Sequence, residues 1–156
     1  MEWNDRDGSW DTFWARHSNP KSGYSRLLAG PLLLAALYRR SWRLLAVALA
    51  YTLVNPILFS PPDEDGVEDD WMHRGVLAER AWVEAGRPVF GRSYPAILNV
   101  ANVAVFGYTL YAVLARKPIR AAVAYAVSVA LKLWFIEALI RWHGSTSADE
   151  SDERDR

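Results

Sequence analysis

Two stretches decide the fold: YPAILNVANVAVFGYTLYAVLA at 94–115 and IRAAVAYAVSVALKLWFIEALIRW at 119–142. Each is an apolar run long enough to cross a hydrocarbon core, which takes about 20 residues. A helix of a soluble bundle carries a polar stripe, and these two largely lack one. Between them Arg116-Lys117-Pro118 makes a tight cationic turn. Upstream the pattern repeats, with apolar runs at about 24–38 and 42–59 around Arg39-Arg40-Ser41. The first run is short for a bilayer. Arg26, Arg39 and Arg40 can extend it by reaching for water, and Pro31 is a potential kink. The expected fold is all-α, an integral membrane four-helix bundle with two interfacial amphipathic helices.

Composition agrees. Of 156 residues 51% are hydrophobic, yet 23% are charged, which requires that the charges be segregated. Lys+Arg and Asp+Glu are both 18, so there is no net field to draw nucleic acid, and no nucleic-acid partner is expected. Cysteine is absent, which excludes disulfides, thiolate metal sites and cysteine nucleophiles. Arginine outnumbers lysine 15 to 3, while residues 61–70 and 148–156 are acidic. That balance suits a salt-tolerant surface, and a G+C-rich genome gives the same arginine bias.

The expected organisation is a tail and interfacial helix at 1–22, a four-span membrane domain at 23–143 and an acidic disordered tail at 144–156. Residues 1–26 carry charges throughout and no early apolar core, so they do not read as a signal peptide. Ser9 to His17 reads as an amphipathic helix with Ser9 as N-cap, Trp10, Phe13, Trp14 and His17 on one face, and Asn19-Pro20 as its stop. Residues 71–85 read as the second amphipathic helix. Trp71, Met72, Gly75, Val76, Ala78, Trp82 and Val83 share an arc, and Glu79 falls in its middle.

The two turns align as Leu37-Tyr-Arg-Arg-Ser-Trp-Arg43 with Leu114-Ala-Arg-Lys-Pro-Ile-Arg120, an offset of 77. They carry six cations and no acid. Eight cations lie near the spans on the other side, which favours termini on the cytoplasmic face.

Polar side chains within spans are costly and face protein or water. Asn55, Asn99, Asn102, Lys132 and Glu137 all fall in the half of the bundle nearest the termini, and His17, Asn19 and Glu79 belong to the same surface. This polar layer is the candidate site. Each member also has a structural explanation. Glu137 and Arg141 have the spacing of a helix ion pair. Asn55 and Asn99 can bind helices together. His17 can be an interfacial aromatic neighbour, and Glu79 can pair with Lys132 or an arginine. Ala122, Ala126 and Ala130 form a small-residue stripe suited to close packing within the chain or across a dimer. No phosphate loop, metalloprotease pair or nucleophile elbow occurs, and His17, His73 and His143 are too scattered for a metal site. No metal and no cofactor are expected.

Phe13-Trp14-Ala-Arg16-His17-Ser18-Asn19-Pro20, Asn55-Pro56-Ile-Leu-Phe59-Ser-Pro61-Pro62 and Gly75-Val-Leu-Ala-Glu79-Arg80-Ala-Trp82 together resemble a family of small polytopic membrane proteins, a domain of unknown function, mostly from halophilic archaea. The resemblance spans about residues 10 to 143. It implies a cell-membrane, multi-pass location but no activity, substrate or cofactor. Three classes of function are therefore expected. The first is a non-enzymatic membrane component or accessory subunit, with a membrane protein or a second copy as partner. The second is a lipid-binding or lipid-modifying protein using the polar layer. The third is a small dimeric transporter.

Overall fold

The computed structural model describes residues 8–62 and 67–154, with side chains placed for all of these except 9, 10, 56, 57 and 147–154. Trp10 of the aromatic face and part of the acidic loop therefore lie outside the described side chains. Among the described residues the chain is all helical, without strands. The helices are α1 (Gly8–His17), α2 (Pro20–Arg26), α3 (Ala29–Arg39), α4 (Trp42–Leu58), α5 (Trp71–Glu84), α6 (Ala96–Leu114) and α7 (Pro118–Arg154). They form two compact units that divide within α5, between Val76 and Leu77.

The first unit is α1, a hairpin of α2–α3 against α4, and the start of α5. Ser9 lies inside α1, so the N-terminal boundary precedes the expected cap. Asn19 is extended (φ −62°, ψ 123°) and caps α2 instead, accepting a hydrogen bond from the Lys21 amide at 2.9 Å. Pro20 sits at the first helical position, where a missing N–H costs nothing. The expected span at 24–38 is not one helix. It divides at Leu27–Leu28, where the amides of both residues bond three residues back rather than four. Pro31 explains the place: it has no N–H for the Leu27 carbonyl, and its ring crowds that carbonyl. Alone, α3 is about 16 Å long; α2 and α3 together cover residues 20–39, about 30 Å of helix.

The second unit is the rest of α5 and a hairpin of α6 and α7. Its core is Ala78, Trp82, Leu98, Phe135 and Leu139. The α6 and α7 helices are long and apolar enough to cross a membrane, over Ala96–Leu114 and Pro118–Thr146. Only 28% of each apolar window is buried. The α4 helix is apolar but shorter. α7 does not stop at 142. It continues to Arg154, so the stretch from 144 expected to be disordered is helical as far as 154. Extending an existing helix adds a hydrogen bond per residue with no new nucleus, and the stretch contains no proline.

The two hairpin turns are closed by the same motif. Ser41 N bonds Ala36 O at 3.0 Å and Arg40 N bonds Leu37 O at 3.1 Å, with Arg40 left-handed at φ 52°. Lys117 N bonds Ala112 O at 2.9 Å and Arg116 N bonds Val113 O at 3.1 Å, with Arg116 at φ 57°. The backbone equivalence is thus Arg40 with Arg116, an offset of 76. The 77-residue alignment matched charges, whereas the left-handed residue sets the register of the turn.

Candidate functional site

In the first unit the break between α2 and α3 organises a cluster of polar side chains. Asn55 on α4 is fully buried. Its Nδ2 donates to Ser25 Oγ at 2.8 Å, and Ser22 Oγ lies 3.3 Å from both the Asn55 carbonyl and its Oδ1. Ser25 Oγ donates onward to the Ser22 carbonyl at 3.1 Å, as does Arg26 Nε at 3.2 Å. The Tyr51 hydroxyl donates to the Ser25 carbonyl at 2.8 Å. These side-chain donors add to the backbone bonds of the last turn of α2, where the Ser25 carbonyl also accepts the Leu28 amide at 3.0 Å.

His17 and Asn19 adjoin this knot. Arg26 Nη1 lies 2.6 Å from His17 Nε2 and 3.1 Å from Nδ1, and because a guanidinium only donates, the imidazole is the acceptor. Phe13 stacks on His17 with ring centroids 5.2 Å apart, and Trp14 meets it edge-on at 5.7 Å. Asn19 Nδ2 donates to the Ser60 carbonyl at 2.9 Å, tying the start of α2 to the segment after α4. His73 Nδ1 faces the Ser18 carbonyl at 2.9 Å and so carries the proton. Asp70 caps α5, accepting from the Met72 and His73 amides at 2.8 and 3.1 Å. Beneath these bonds Gly23 is buried against Met72. A Cβ on Gly23 would lie 2.0 Å from Met72 Cγ.

In the second unit the expected inward face of α5 is the packed one. Ala78 and Trp82 are buried, although Val83 is exposed. Glu79 Oε1 lies 3.6 Å from Lys132 Nζ, a loose ion pair with side chains 25% and 40% exposed. Lys132 also sits over the Phe135 ring at 4.9 Å. Asn102, which sequence depth matches to Lys132, instead accepts from Ser128 Oγ. Asn99 is buried and donates to the Val89 carbonyl at 3.1 Å. Glu137 bonds Arg141 at 2.9 Å within one turn of helix. Arg87 is held near the faces of Trp82 and Trp142, at 5.0 and 4.9 Å. Ala122, Ala126 and Ala130 are exposed, so the stripe is not used in the α6–α7 contact. That contact buries Ala121, Ala124 and Ser128.

The eight candidate residues therefore separate by unit. His17, Asn19 and Asn55 share the first unit's network. Glu79 meets Lys132 in the second, while Asn99, Asn102 and Glu137 each serve a local contact. Sequence reading missed Ser22, Ser25, Arg26, Tyr51 and His73. The one available signal was Pro31, which marks where the helix is interrupted. Among the described residues no cluster of three or more His, Asp or Glu is placed to hold a metal ion.

No curated protein and no solved structure matches the chain. A family model, a family of unknown function (DUF6653), matches residues 7–154. It covers the two hairpins and the amphipathic helices that precede them, and the chain belongs to this family of unknown function.

Proposed function

We propose that the chain is a multi-pass protein of the cell membrane, a four-span bundle flanked by α1 and α5, and that it acts as a non-enzymatic membrane component or accessory subunit. The observation that carries this is the outward apolar surface of the span-length helices. Ile97, Val100, Val103 and Leu114 on α6 are exposed, as are Ile119, Val123, Val127 and Trp134 on α7. The core helix of a soluble protein hides such residues, and contiguous apolar patches of this extent mark a membrane or partner surface. Leu49, Leu53, Val54 and Leu58 give α4 the same character. Two span-length helices fit membrane insertion. The joined α2–α3 segment and α4 extend the reading to four crossings.

The non-enzymatic reading rests on how the polar residues are used. Asn55, Asn19, Asn99 and Asn102 hold helices and loops together, and Glu137 pairs along its own helix. Acidic segments with few lysines support a halophilic archaeal setting. A second reading, a lipid-binding or lipid-modifying protein, draws on the half-exposed Glu79–Lys132 pair, whose charges remain open to a headgroup.

Reporter fusions at Arg40 and Lys117 should agree with each other and oppose fusions at Gly66 and Ser151. Disagreement within either pair removes the four-span reading. A native pull-down with lipid analysis separates the two functions. Stoichiometric capture of one membrane protein favours the accessory subunit, and loss of a bound lipid in Lys132→Met favours the second reading.

A further inference from the structure

Among the described residues three helices end in the same way. A residue one or two places past the helix is left-handed, its amide bonds three residues back, and the next amide bonds five residues back. At the end of α5 that left-handed residue is Gly86, at φ 67°, with Gly86 N on Val83 O and Arg87 N on Trp82 O. Glycine is the ordinary occupant, because only it lacks the Cβ that strains this geometry. At the tips of the two hairpins the same position is Arg40 and Arg116. Both tips thus keep a charged side chain where the backbone favours glycine. An unfavourable backbone state held at equivalent places points to use of the side chain.

The surroundings indicate that use. The tips present Arg39, Arg40, Arg43, Arg116, Lys117 and Arg120, all exposed, and neither turn sequence contains an acid. Exposed Trp42 and Ile119 lie in the first turns of the helices that follow. Lys117 lies 5.6 Å from the centroid of the Tyr111 ring. Cations beside aromatic and apolar side chains at the ends of apolar helices match the boundary between headgroups and acyl chains.

We propose that the two hairpin tips are binding surfaces for the phosphate of anionic phospholipid headgroups, with Arg40 and Arg116 as the contacting residues held in place by the left-handed turn. This rests on the membrane reading above. The test uses the full chain in nanodiscs of phosphatidylcholine with and without phosphatidylglycerol, with retained lipid counted by native mass spectrometry. Each cation near an anionic surface contributes roughly a fivefold preference. Arg40→Gly with Arg116→Gly should therefore lower retention of phosphatidylglycerol about thirtyfold. The same change relieves two strained residues, so the unfolding midpoint should hold or rise. Arg40→Gln with Arg116→Gln removes the charges while keeping a polar side chain at each left-handed residue, and should show the same lipid loss. Equal retention by the wild type and both double variants overturns the proposal. So does displacement of the lipid by millimolar inorganic phosphate, which would make free phosphate the ligand. Extraction of the wild type from membranes by alkaline carbonate would sink the membrane reading itself. Failure of lipid selectivity in a protein resistant to carbonate sinks only the tip proposal.

Discussion

Replacing Asn55 by leucine removes the centre of the first unit's network while keeping a side chain of similar size. Two bonds to its side chain are lost. One is the 2.8 Å bond to Ser25 Oγ, and the other is the longer 3.3 Å approach of Ser22 Oγ. Side-chain hydrogen bonds between membrane helices average about 0.6 kcal/mol and reach about 1.7 kcal/mol. The short bond belongs near the upper figure and the long one near or below the mean. The site is fully buried, so the branched leucine adds about 1 kcal/mol of misfit. Asn55→Leu is then expected to cost about 2–3 kcal/mol. Ser25→Ala in the Asn55→Leu background should cost about 1 kcal/mol less than in the wild type, because replacing both partners leaves no orphaned group. Unfolding in mixed micelles with increasing dodecyl sulfate measures all four corners of this cycle. A cost for Asn55→Leu below about 0.5 kcal/mol, or additivity of the two changes, would show that the network does not hold α2 to α4.

Gly23→Ala is expected to be destabilising despite alanine's better helix propensity. Its Cβ would sit 2.0 Å from Met72 Cγ, and buried Met72 must move. The overpacking cost of about 1–3 kcal/mol exceeds a propensity gain of up to about 1 kcal/mol. Met72→Ala should abolish the penalty, so a penalty unchanged in that background would mean that the two residues do not touch. In the second unit Phe135→Ala should cost about 3–5 kcal/mol, because Phe135 is fully buried in the core. Lys132→Met, by contrast, should hold or raise stability, since its pair with Glu79 is long at 3.6 Å and an apolar side chain removes a charge from the span. Urea or dodecyl sulfate unfolding of both variants checks the contrast, and equal costs would contradict it.

Hydropathy made the span-length helices legible, because length and lack of a polar stripe are properties of a continuous run of residues. The face of α5 was legible for the same reason: its period places Trp82 and Ala78 together. The polar layer was only partly so. Depth along a helix puts Asn102 level with Lys132, but rotation about the axis turns them to different partners, Ser128 and Glu79. Ser22 and Ser25 carry no local signal, since their bonds to Asn55 join residues 33 and 30 positions apart. Gly23 reads as a weak helix former until Met72 is placed on it. The helical stretch after 144 was hidden by composition, which reports the preference of a free segment and not of one already joined to a helix.

The two units share a plan, an amphipathic helix followed by a hairpin, yet different chemistry holds them. α6 and α7 run unbroken, their backbone groups are satisfied internally, and the second unit can be joined by apolar side chains such as Phe135 and Leu139. The α2–α3 segment is interrupted, and side-chain donors from Arg26 and Tyr51 supplement the backbone bonds of the Ser22 and Ser25 carbonyls beside the break. On this account Asn55, Ser22, Ser25 and Tyr51 brace the chain where Pro31 interrupts the helix. The dependence can be measured. Tyr51→Phe removes one donor to the Ser25 carbonyl and is expected to cost about 1 kcal/mol. In a Pro31→Ala background the helix can close through Leu27 and Leu28, the Ser25 carbonyl can exchange the Leu28 amide for the better-aligned one four residues on, and Tyr51→Phe should cost less than half as much. Circular dichroism of Pro31→Ala should show a gain of helix. If Tyr51→Phe costs the same in both backgrounds, the network does not answer the broken helix, and its polar residues require another explanation.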